Sequence, residues 1–167
     1  MLKAAVLAML MLAAGTAAAN ETMKLGTYDS RLVALACARS QSFAASLKVL
    51  SSELAAAKAA GDQEKVRELE QDGAWMQVRL HQRTFSTAGA ADLLKGLESR
   101  LPAIAKQAGV AAIVSRWELP YSDAAVELVD VTDQVAALFA PDAATRKLMA
   151  EVAAMAPQPF DEVPLED

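Results

Sequence analysis

Two segments with apolar residues at a near-heptad spacing meet at one tight turn, Ala59-Ala60-Gly61-Asp62. Before the turn, Phe43, Leu47, Leu50 and Leu54 recur at spacings of four, three and four. After it, one register holds Val66, Leu69, Met76, Leu80, Leu94, Leu97, Leu101, Ile104 and Ala108. A stripe repeating about every 3.5 residues makes helices wrap around one another, so the pattern predicts a seam. Gly61 suits a left-handed C-cap and Asp62 the N-cap of the following helix. The expectation is an antiparallel helical hairpin, an arm over residues 42–89.

The flanks carry shorter periods. Residues 23–28 read as a strand closed by Asp29-Ser30, a helix-capping pair. A first helix is expected over 31–60, apolar nearly all round from Leu32 to Cys37, with a weak point at Ser40 and Ser42. The second starts near Asp62, with Glu64, Lys65, Arg67, Glu68 and Glu70 as a solvated face. Its seam weakens at Gly73, Arg83 and Thr87, so a break is expected over 85–89. A fresh helix over 90–108 follows, in which Pro102 marks a kink or a separate first turn. Residues 110–114 and 126–129 read as two more strands, and 132–139 and 143–155 as two more helices. The end, 157–167, holds three prolines and four acids and is expected to be a disordered acidic tail.

The fold class expected is therefore α+β, mostly α. A small body of about three short strands spans 20–41 and 90–139, with the arm inserted between strands one and two. A C-terminal helix over 140–156 follows it.

Composition changes this picture at the N-terminus. Met1-Leu2-Lys3, an apolar run from Ala4 to Ala14, and Ala17-Ala18-Ala19 have the order of a secretory signal peptide over 1–19, cleaved after Ala19. The alternative, an uncleaved anchor, fits less well, because the run is shorter than the ~20 residues a spanning helix needs. Without those residues 15 basic and 21 acidic side chains remain, a formal charge of −6. Such a surface repels nucleic acid and anionic lipid, so neither is an expected partner, and no other segment reads as membrane-spanning. Cys37 is the only cysteine; charged residues separate it from the apolar run, which argues against a lipid anchor there. It reads as a small buried apolar residue, with an intermolecular bridge as the other reading.

Four segments stand out in order: Lys24-Leu25-Gly26-Thr27-Tyr28-Asp29-Ser30, the Ala-Gly-Asp turn, Leu101-Pro102-Ala103-Ile104-Ala105-Lys106-Gln107-Ala108-Gly109-Val110, and Leu128-Val129-Asp130-Val131-Thr132-Asp133-Gln134-Val135. Together they resemble the OmpH/Skp family of periplasmic chaperones. The resemblance implies a periplasmic homotrimer whose sheets join in a central body and whose arms hold unfolded outer-membrane or envelope proteins without ATP. Leu25, Tyr28, Ile113 and Trp117, on or beside the strands, are the candidate contacts between subunits. This chain departs from the family in its shorter arms, its acidity and its added C-terminal helix.

Candidate chemistry is sparse. His81, the only histidine, has no Cys or carboxylate cluster at metal-ligand spacing, and neither a Gly-x-Ser-x-Gly elbow nor a Gly-rich phosphate loop is present. No catalytic residue, metal or cofactor is expected. Trp75, Met76 and Phe85, near the weak middle of the arm, are the candidate client contacts; the other reading packs them on the first helix or a neighbouring arm. The alternative function is an oligomeric coiled-coil scaffold or envelope-interaction protein without general chaperone activity.

Overall fold

The computed structural model describes residues 22–163. The expected signal segment over 1–19 and the last residues of the acidic tail lie outside them. Three strands, β1 (Lys24–Tyr28), β2 (Ala112–Ser115) and β3 (Glu127–Asp130), form one sheet in the order β2-β1-β3. Both pairings are parallel, with Leu25 opposite Ala112 on one side and Leu128 on the other. Parallel neighbours need a long crossover, and the excursion between β1 and β2 supplies one. The chain is thus mostly helical around a small parallel sheet, an α+β arrangement.

The first predicted helix is two helices, α1 (Ser30–Ala38) and α2 (Gln41–Ala60). The break falls at the predicted weak point. Ser40 is extended; its hydroxyl accepts from the Phe43 N–H at 3.2 Å and donates to the Cys37 carbonyl at 2.6 Å. That side chain ends one helix and starts the next. Gly61 then takes φ 72°, a left-handed position that suits glycine, and the Asp62 carboxylate accepts from Lys65 N–H to open α3 (Gln63–Phe85).

Beyond α3 the chain departs twice from the expected pattern. The continuous helix expected over 90–108 is instead a 3-10 turn at Ala91–Leu94, another at Glu98–Arg100, and α4 (Leu101–Ala108). Gly96 sits between them at φ 81°, which interrupts a helix, and Pro102 occupies the first turn of α4 where its missing N–H is harmless. The tail expected to be disordered from Pro157 is tied down through Val163. The Gln158 N–H donates to the Phe85 carbonyl at 2.9 Å, its carbonyl accepts from Thr87 N–H at 3.3 Å, and Val163 is only 4% exposed. Between these parts lie α5 (Thr132–Ala136) and α6 (Ala143–Ala153), the latter capped by Asp142, whose carboxylate accepts from Thr145 N–H.

One face of the sheet carries the core. Tyr28 packs with Leu32, Val33, Val131, Val135, Phe139 and Met149, while Ile113 and Val129 close on the same cluster. Gly26 allows this approach, because a Cβ there would meet Val110, Ile113 and the Ala112 carbonyl at 3.1–3.2 Å. Tyr28 therefore lies within the chain's own core, and Ile113, partly buried, packs against it. Side chains alternate along a strand, so Leu25, Thr27, Val114 and Leu128 share the opposite face. Leu128 is exposed there, beside the exposed ring of Tyr121. No helix of the described residues is long and apolar enough to cross a membrane.

Candidate functional site

Near the Gly61 turn, α2 and α3 close on one another. Leu50 and Leu54 pack with Ala57, Val66 and Leu69, and Lys58 bridges Glu70 at 2.9 Å. Gly73 faces Leu50, whose methyl would lie 3.5 Å from an added Cβ. The rest of the stripe does something else. Phe43 from α2 and Met76 and Leu80 from α3 line an open groove of about 470 Å³, completed by Trp75, Asp72, Arg79, Arg83 and Leu93. Trp75 is 50% exposed, and Leu47 is 43% exposed.

Of the three candidate client contacts, the structure brings Trp75 and Met76 together. Phe85 lies apart at the end of α3, with its ring 5.0 Å from that of His81 and its carbonyl taken by Gln158. The charged lip was not singled out from sequence, although Asp72, Trp75, Met76, Arg79 and Arg83 fall at the three- and four-residue spacings that put side chains on one helical face. Arg83 is 17% exposed at its side chain and is held by Asp92 at 2.6 Å. Arg79 and Asp72 have no ion-pair partner among the described residues. Cys37, packed against the main core, has its thiol pushed up by burial, with Arg83 drawing it back and Asp92 adding to the rise.

A second polar constellation sits at the carboxyl ends of the three strands, where parallel sheets usually place ligand sites. Its centre is a buried ion pair. Asp29 and Arg31 are 3% and 4% exposed and pair at 2.8 Å, with a second contact from Arg31 Nε at 3.1 Å. Arg31 Nη1 donates to the Met155 carbonyl at 2.8 Å, and Trp117 Nε1 donates to Asp29 Oδ1 at 3.3 Å. Burial pushes the Asp29 carboxyl up, but the hydrogen bonds and charge of Arg31 outweigh it and hold the group below its ordinary value. Thr132 accepts from the Asp29 N–H and from Arg116, which also pairs with Asp130 at 2.6 Å. The indole of Trp117 lies within 5.5 Å of the Arg31 guanidinium and 5.9 Å of that of Arg116. Burial, helped by Glu118 and Asp92, raises the neighbouring Tyr28 phenol to about 12.

Within this second network the Arg116–Asp130 pair faces solvent, and Arg116 Nε is buried without a partner. The network joins the β1–α1 turn, the segment after β2, the start of α5 and the end of α6. Its geometry is that of a structural knot, and Trp117 is one of its members. Among the described residues no group of three or more His, Cys, Asp or Glu side chains stands close enough to hold a metal ion. The open groove, which sets Phe43, Met76 and Leu80 beside the charged side chains of Asp72, Arg79 and Arg83, is the candidate site. Compared with known proteins, the chain matches no family model, no curated protein and no solved structure.

Proposed function

We propose that the protein is an exported, ATP-independent holdase of the kind the OmpH/Skp resemblance implies. In this reading α2 and α3 form an antiparallel arm projecting from the sheet body, and the groove where their stripe opens grips apolar segments of unfolded envelope proteins. The observation that carries it is the groove: Phe43, Met76 and Leu80 on its floor, with Trp75 half exposed beside them. An exposed apolar surface of this kind on a helical pair suits weak contact with many different chains. The outward sheet face, with Leu25 and Leu128, and the two unpaired strand edges favour assembly of several copies, a homotrimer by the resemblance. No catalytic step is part of the mechanism.

The test is suppression of aggregation of a urea-unfolded outer-membrane β-barrel protein by the purified chain, with light scattering to report its mass. Protection at near-stoichiometric amounts by an oligomer, weakened by Trp75→Ala, is the expected result. No protection at any salt concentration overturns the reading. The acidic surface and the outward sheet face favour a second reading, an envelope scaffold. Capture of one defined folded partner through Leu128 and Tyr121, without binding of unfolded chains, distinguishes it.

A further inference from the structure

The groove is polar along its length. On α3 its lip runs from Asp72, past Trp75, to Arg79, with Met76 on the floor between them. Seven residues separate the two charges, and seven residues of α-helix return to nearly the same face after about 10 Å. Arg83 is already engaged by Asp92, whereas Arg79 and Asp72 have no ion-pair partner among the described residues. The lip thus offers one carboxylate and one guanidinium from backbone positions about 10 Å apart along the same face of α3.

We infer that the groove selects extended segments in which two apolar residues lie between a basic and an acidic residue. This rests on the reading of the groove as a site for unfolded chain. The spacing decides the class: an extended chain advances about 3.3 Å per residue, so charges three positions apart span about 10 Å. The basic residue meets Asp72, the acidic residue meets Arg79, and the apolar pair lies over Trp75 and Met76. Either chain direction satisfies this order. A cavity of about 470 Å³ holds a few side chains, which suits a short extended segment rather than a docked helix.

The test uses the full chain and four fluorescein-labelled hexapeptides with Leu-Phe at their centre, flanked by Lys and Glu, by two Lys, by two Glu, or by two Gln. Fluorescence anisotropy at low salt reads their binding. The mixed-charge peptide is expected to bind about fivefold tighter than the Gln peptide, the scale of solvent-exposed ion pairs, and to lose that margin at high salt. Arg79→Glu weakens the mixed peptide by about fivefold and makes the two-Lys peptide the tightest. Asp72→Lys combined with Arg79→Glu restores the mixed peptide, bound in the opposite direction. Both positions are exposed, and an unchanged thermal melt shows that each variant folds.

Equal binding of all four peptides, abolished by Trp75→Ala but unchanged in Arg79→Glu, overturns the charge selection and leaves the holdase reading standing. No binding of any peptide, together with no suppression of aggregation, removes both. A mass that rises with protein concentration, collapses in Trp75→Ala and is not competed by any peptide assigns the groove to a second copy, and also overturns the inference.

Discussion

Replacing Asp29 by alanine is expected to come close to unfolding the protein. The substitution leaves the Arg31 guanidinium, whose side chain is 4% exposed, buried without its counter-charge. Breaking one half of a buried pair costs about 3–5 kcal/mol. It also removes the acceptor for the Arg31 N–H that caps α1, worth about 1 kcal/mol, and the acceptor for the Trp117 indole N–H. These losses share one carboxylate and do not add, so about 4–5 kcal/mol is expected in total, against roughly 5–15 kcal/mol for a whole domain. Asp29→Asn keeps an oxygen able to cap α1 but loses the charge, and about 2–3 kcal/mol is expected. Urea unfolding followed by helical circular dichroism measures both, with an unchanged m-value as the check on two-state behaviour.

The same pair sets an acid limb. Asp29 is held below its unfolded value, so its contribution is present in full above about pH 4 and is lost as pH falls through the folded value. Stability of the natural chain should therefore drop below about pH 4, and Asp29→Asn should flatten that drop. An alanine variant destabilised by less than about 1 kcal/mol, or an asparagine variant with the same acid slope, would refute the reasoning.

Gly73→Ala should stabilise the protein by about 0.5–1 kcal/mol, because the new methyl makes ordinary contact with Leu50 and glycine is a poor helix former; a fall in the urea midpoint would contradict that. Gly26→Ala should destabilise it by about 1–3 kcal/mol, since the methyl has to displace Val110, Ile113 and the Ala112 carbonyl; the same titration checks this. Trp75→Ala should leave the melting temperature nearly unchanged, the side chain being half exposed, while the amount of protein needed to suppress client aggregation rises severalfold.

What the sequence made legible was local. Ser40 and the Gly61-Asp62 pair act within one turn of their own positions, so the breaks they cause could be read from neighbouring residues. The helix expected over 90–108 failed for an equally local reason that the apolar spacing overshadowed. Leu94, Leu97 and Leu101 keep helical intervals, yet Gly96 at φ 81° turns the chain between them. The order of the tail rests on backbone bonds that tie Gln158 to Phe85 and Thr87 and leave no trace in composition. The parallel sense of the strands and the Asp29–Arg31–Trp117 knot depend likewise on residues far apart in the chain. One signal for the knot was present: Arg31 opens a helix that is otherwise apolar nearly all round, and a charge there needs a buried partner.

The central place of β1 fixes an order of events in folding. Its partners enter the chain late, Ala112 and Leu128 lying 87 and 103 residues after Leu25. The helical pair around Gly61, by contrast, closes through neighbours in sequence and can form early and fast. A nascent chain therefore carries its first strand unpaired until β2 has emerged, and paired on one side only until β3 follows. Truncation just before Glu127 would leave that strand permanently exposed along one edge, an edge able to recruit another chain.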